Sequence, residues 1–85
     1  MLKYYPNVCN AVSSGILQTN PNATETENMT NKPGYLLWMI KEMQSFTDNE
    51  KAARWIGWII AHAEMLGIMD NTESRRLVRM DVKGT

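Results

Sequence analysis

The stretch Thr47-Asp48-Asn49-Glu50-Lys51-Ala52-Ala53-Arg54-Trp55-Ile56-Gly57-Trp58-Ile59-Ile60-Ala61-His62-Ala63-Glu64-Met65-Leu66-Gly67 decides the fold. Apolar side chains recur at Ala52, Trp55, Ile56, Ile59, Ile60, Ala63 and Leu66, the three- and four-residue spacing of a helix with one buried stripe. Thr47 followed three residues later by Glu50 forms a capping box: the threonine oxygen accepts from a first-turn amide while the glutamate reaches back. Gly67 suits the left-handed conformation that ends a helix. At about 100° per residue the stripe is roughly 140° wide, and Trp58 falls roughly 60° beyond its edge. Met65 lies one heptad on from Trp58, with His62 beside them.

The flanking segments repeat the pattern. Thr30 or Asn31 with Pro33 just inside starts a helix of about 33–45, in which Tyr35, Leu36, Met39, Ile40, Met43 and Phe46 recur with helical period. Leu36, Met39, Ile40 and Met43 make its buried stripe, whereas Leu37 and Trp38 point elsewhere. Asp70 followed by Glu73 caps a third helix carrying Leu77, Val78 and Val82 before Gly84. Turns this short make the first two helices an antiparallel hairpin with the third folded across it. The fold class is therefore all-α. From Gln18 to Asn31 Met29 is the only large apolar residue, too little to offset the entropy of ordering. Val8, Val12 and Ile16 after Pro6 suggest a short helix beginning near Asn7, weakened by Ser13, Ser14 and Gly15. The expected division is a poorly ordered segment over 1–30 and a helical domain over 31–85, stable over 30–82. One reading makes Met29 a physiological start and residues 1–28 an upstream extension.

Composition narrows the function. With 85 residues the chain holds one small domain, and nine Lys and Arg balance nine Asp and Glu, without the excess positive charge of a dedicated nucleic-acid or anionic-membrane binder. One cysteine and one histidine supply neither a disulfide framework nor a four-ligand zinc site, so no metal or other cofactor is expected. The N-terminus, with Lys3 alone before Tyr4, Tyr5 and Pro6, does not read as a signal peptide. The longest apolar run, Trp55 to Met69, contains His62 and Glu64 and falls short of the roughly 20 residues that span a bilayer. The expected setting is the cytoplasm, with no membrane partner, Cys9 reduced, and the sequons at Asn22 and Asn28 chance matches.

No catalytic constellation stands out. His62 lacks a recognisable nucleophile or orienting acid, and Cys9 reads as an ordinary thiol on a weakly structured segment. The acidic residues fall as caps and as helical partners such as Glu50 with Arg54, and there is no glycine-rich phosphate loop. Neither an enzyme nor a small-molecule substrate is expected. What remains is an apolar excess at Leu37, Trp38, Trp58, His62 and Met65. Either the third helix and Val8–Leu17 cover it, or it is a surface for self-association or another protein. A chain this small hides little, and the reading taken forward is a protein-interaction module, homo-oligomeric or bound to a different protein. The runner-up uses Arg75, Arg76, Arg79 and Lys83 on the third helix to bind DNA. Ala63 and Gly67 followed by an arginine-bearing helix loosely match a helix-turn-helix, but Glu73 and Arg76 stand where that motif buries apolar residues. Nucleic acid is not the favoured partner, since Asp70, Glu73 and Asp81 neutralise much of the cluster.

At Lys51-Ala52-Ala53-Arg54-Trp55-Ile56-Gly57-Trp58, then Leu66-Gly67-Ile68 and Glu73-Ser74-Arg75-Arg76-Leu77-Val78-Arg79, the chain resembles small uncharacterised bacteriophage and prophage reading frames. The resemblance covers roughly residues 34–82, and the Arg-Trp-Ile-Gly-Trp block is its most distinctive part. It implies a compact phage accessory protein, a class many of whose members bind and redirect a host protein, supplies no catalytic residues, and leaves residues 1–30 outside.

Overall fold

A computed structural model describes residues 2–83, which form four helices and no strand: α1 (Pro6–Thr19), α2 (Lys32–Met43), α3 (Asn49–Met65) and α4 (Asn71–Lys83). The protein is all-α. Among the described residues no helix is long and apolar enough to cross a membrane.

α2 and α3 form the expected antiparallel hairpin, and their caps show why they begin where they do. The Asn31 side chain accepts from the Gly34 amide at 3.3 Å, with Pro33 in the first turn. At α3 the cap is Asp48 rather than Thr47: its Oδ1 accepts from the Glu50 and Lys51 amides at 2.9 and 3.3 Å. A carboxylate is the better acceptor at a helix N-terminus, where the dipole favours negative charge. Gly67 takes the positive φ of 75° that stops α3, and Asp70 caps α4 by accepting from the Glu73 amide at 2.8 Å. Gly84, read as the stop of the last helix, lies outside the described residues.

The N-terminal segment corrects the expected division at residue 30. α1 is a fourteen-residue helix whose Val8, Cys9, Val12 and Ile16 are fully buried, in one core with Leu36, Met39, Ile40, Met43, Ala52, Ile56, Ile59, Ala63 and Leu77. α4 lies chiefly against α1, not across the hairpin, so the molecule is two antiparallel pairs, α2–α3 and α1–α4, joined through α1. Gly15, which weakens α1 as a helix, is where α1 packs directly against the α3–α4 turn. A Cβ there would collide with Ile68 in the α3–α4 turn. Only the connection between α1 and α2 matches the expected polar linker, and even that is tied down where Thr26 N–H donates to the Gly34 carbonyl at 3.2 Å. A Cβ on Gly34 would stand 2.5 Å from the Thr24 carbonyl oxygen, so the linker lies directly on α2.

The start of α1 is held from far along the chain. Tyr5, in left-handed conformation at φ 49°, supplies no side-chain cap, and Pro6 has no N–H to satisfy. The next two amides donate to Asp81 of α4, Asn7 N–H to Oδ1 at 2.9 Å and Val8 N–H to Oδ2 at 3.0 Å. The Asn7 side-chain amide adds a third bond to Oδ1 at 2.8 Å. Cys9 N–H then donates to the Tyr5 carbonyl at 2.9 Å, which completes the accounting of the first turn. Asp81 is 4% exposed, so its charge is held by helix amides instead of a cation. Preceding α1, the Lys3 and Tyr4 amides donate to Gln44 Oε1 at 2.6 and 2.7 Å, and the Tyr4 hydroxyl donates to the Phe46 carbonyl at 2.8 Å. These bonds fasten the N-terminal strand of chain to the end of α2.

Two outcomes follow. Asp81→Ala leaves the buried Val8 amide and the half-buried Asn7 amide without acceptors and should lower stability by on the order of 3 kcal/mol, measured by urea unfolding. Deleting residues 2–19 should abolish cooperative unfolding, because it exposes the inner faces of α2, α3 and α4 together.

Candidate functional site

The outer edge of the α2–α3 hairpin carries a continuous band of rings. Tyr35 and Trp38 of α2 stack with centroids 5.5 Å apart, and Trp58 of α3 meets Tyr35 edge-on at 5.4 Å. Trp38 contacts Trp55 at 6.0 Å, and Phe46 in the turn meets Trp55 edge-on at 4.6 Å. His62 extends the band, stacked on Trp58 at 3.5 Å, with its Nδ1–H donating to the Trp58 carbonyl at 2.9 Å. Two lysines stand over the band, Lys32 Nζ 5.4 Å from the Trp58 ring and Lys51 Nζ 4.3 Å from the Phe46 ring. All six rings are half-buried, and every one comes from α2, α3 or the turn between them.

This geometry sorts the expected apolar set. Trp38, Trp58 and His62 come together in the band, and Met65, 79% exposed, sits one turn beyond His62 on α3. Leu37 does not join them. It faces a separate shallow groove with Leu2, Leu17 and Ile40, where α1 and the N-terminal chain partly cover it. Trp55, expected on the main stripe of α3, is instead half-buried in the band, and Leu66 is 43% exposed. The buried stripe of α3 narrows to Ala52, Ile56, Ile59 and Ala63 because α1 covers that side and α4 scarcely touches α3. Tyr35 and Phe46, which recur with the helical period beside the stripe of α2, also belong to the band. Their positions flanking Leu36 and Met43 were the signal that the stripe is too wide for one core.

The basic set divides as well. Arg76 is clamped by Glu73, Nη2 to Oε1 at 2.7 Å and Nε to Oε2 at 3.1 Å, and that bond holds the Glu73 carboxyl below its ordinary pKa. Arg75 and Arg79 instead flank a cleft between α3 and α4, while Lys83 is exposed at the end of α4. The four cations share one exposed arc of α4, but Arg76 is committed to Glu73 and only Arg75 and Arg79 line the cleft.

No family model, curated protein or solved structure matches this chain.

Among the described residues no three His, Cys, Asp or Glu side chains gather as a metal site, and no buried side-chain nitrogen or oxygen lacks a hydrogen-bond partner. Cys9 is not the accessible thiol of a loose segment. It lies fully buried on the inner face of α1, where burial first and the nearby Asp81 charge second push its pKa up to about 12. An unfolded thiol ionises near pH 8.5, so the neutral buried thiol favours the folded state fully below that pH, and this contribution is lost as pH rises toward 12. Native protein at pH 8 should accordingly resist an aromatic disulfide reagent until denaturant is added, and its urea midpoint should fall steadily above about pH 9.

Proposed function

We propose that this chain is a non-enzymatic protein-interaction module of a cytoplasmic, reducing setting, and that it docks a protein partner through the aromatic band. The observation that carries the reading is the half-buried run Phe46–Trp55–Trp38–Tyr35–Trp58–His62, continued by the exposed Met65. Tryptophan, tyrosine and methionine are the side chains enriched at interface centres, and rings already packed on one another lose little freedom when a partner covers them. Lys32 over Trp58 and Lys51 over Phe46 give the polar rim such surfaces carry. The band holds no acidic side chain, so a second copy meets no carboxylate at its centre, and under two-fold symmetry it presents the same rings to itself. Self-association is therefore the form of the proposal tested first, with a different protein, as the phage resemblance implies, as the other occupant.

Light scattering coupled to size exclusion, over a protein concentration series, tests it. Wild type should rise above the 9.7 kDa monomer mass with concentration. Trp58→Ala with Met65→Ala should remain helical by circular dichroism and stay monomeric, since a buried interface aromatic contributes about 2 kcal/mol or more. A wild type that stays monomeric throughout removes self-association, and a double variant that unfolds places Trp58 in the monomer core.

A further inference from the structure

We propose that the cleft between α3 and α4 binds an acidic amphipathic helix of a partner protein. The cleft shares no lining residue with the aromatic band, so the inference does not rest on that surface. Its open volume is about 500 Å³, and Ile60 and Val78, both half-buried, give it an apolar floor. Arg75 and Arg79 stand on its rim one helical turn apart, exposed and without an ion pair among the described residues. That contrasts with Arg76 beside them on α4, whose guanidinium is already committed to Glu73.

The one acidic group in the cleft is partly occupied. Ser74, 2% exposed, donates its hydroxyl to Glu64 Oε2 at 2.7 Å and so fixes that carboxylate against α4. The cleft thus offers two free cations, one tethered anion and a greasy floor. A helix with carboxylates four residues apart matches the Arg75–Arg79 spacing, and an apolar side chain between them reaches Ile60 and Val78. A DNA backbone matches less well. It needs several cations in register, whereas Arg76 is neutralised by Glu73 and Glu64 faces the same cleft.

The test titrates the full chain into a fluorescein-labelled peptide built of Glu, Ala and Leu, with glutamates four apart and leucines on one face, read by anisotropy. Wild type should bind, and raising NaCl from about 50 mM to about 500 mM should weaken the complex. Arg75→Gln with Arg79→Gln should lower affinity about tenfold with an unchanged circular dichroism spectrum, because neither arginine holds an ion-pair partner among the described residues. Glu64→Gln keeps an oxygen for the Ser74 hydroxyl and removes a like charge, so it should tighten the peptide about twofold. Trp58→Ala with Met65→Ala should leave peptide affinity unchanged, which separates this site from the aromatic band. Peptide binding that ignores the two arginines, or no binding at near-millimolar protein, overturns the proposal. So does a short DNA duplex that binds more tightly than the peptide through the same arginines.

Discussion

The carboxylate of Asp81, buried near the end of α4, accepts from the first two free amides of α1 more than seventy residues earlier in the chain. Everything else in the architecture turns on that contact. α1 has no cap of its own, because Tyr5 bends through the left-handed region and Pro6 offers no N–H. Without an outside acceptor, its first turn would leave amides buried and unpaired. With Asp81 in place, α1 lies along α4 and presents Val8, Val12 and Ile16 to the hairpin, which closes the core. The Gln44 side chain makes the matching connection to α2, through three hydrogen bonds with the backbone of Lys3 and Tyr4. One local geometry, a helix start that cannot cap itself, thus joins both pairs of helices.

The same arrangement determines which surface is left over. Since α1 carries α4, the hairpin is covered on one side only, and the opposite edge keeps its aromatic side chains half-buried among themselves. The apolar excess is consequently one band at the hairpin edge, with Leu37 diverted to a groove beside α1. The cleft that Arg75 and Arg79 flank arises from the same geometry: α4 packs chiefly on α1, which leaves a groove along α3 floored by Ile60 and Val78.

Much of this was legible in the residues. The helices of the hairpin, Gly67 as a stop and Asp70 as a cap follow from period and capping chemistry, which act over a few residues. The stripe of α2 at Leu36, Met39, Ile40 and Met43 is buried as read. What the sequence hid was long-range. Gly15 looks like a helix weakener until Ile68 is seen against it, and Asp81 looks like one more surface charge until α1 is placed beside it. Trp55 sits on the stripe, yet burial depends on which neighbour covers that side, and there Phe46, Trp38 and the Lys51 chain leave it half-buried. The surface set was partly legible for the same reason: spacing places Trp58, His62 and Met65 together on α3, but it cannot assign Tyr35 and Phe46 to the band or remove Leu37 from it.

Native-state hydrogen exchange, resolved by residue, tests most directly the claim that α1 is a core element pinned by Asp81. The amides of Asn7 and Val8, together with those through Ile16, should exchange as slowly as the core amides of α3 around Ile56 and Ile59, all opening in the same global unfolding. Exchange of α1 at nearly random-coil rates while α2 and α3 stay protected would contradict the account, because the hairpin would then be the whole stable unit and Asp81 would pin nothing.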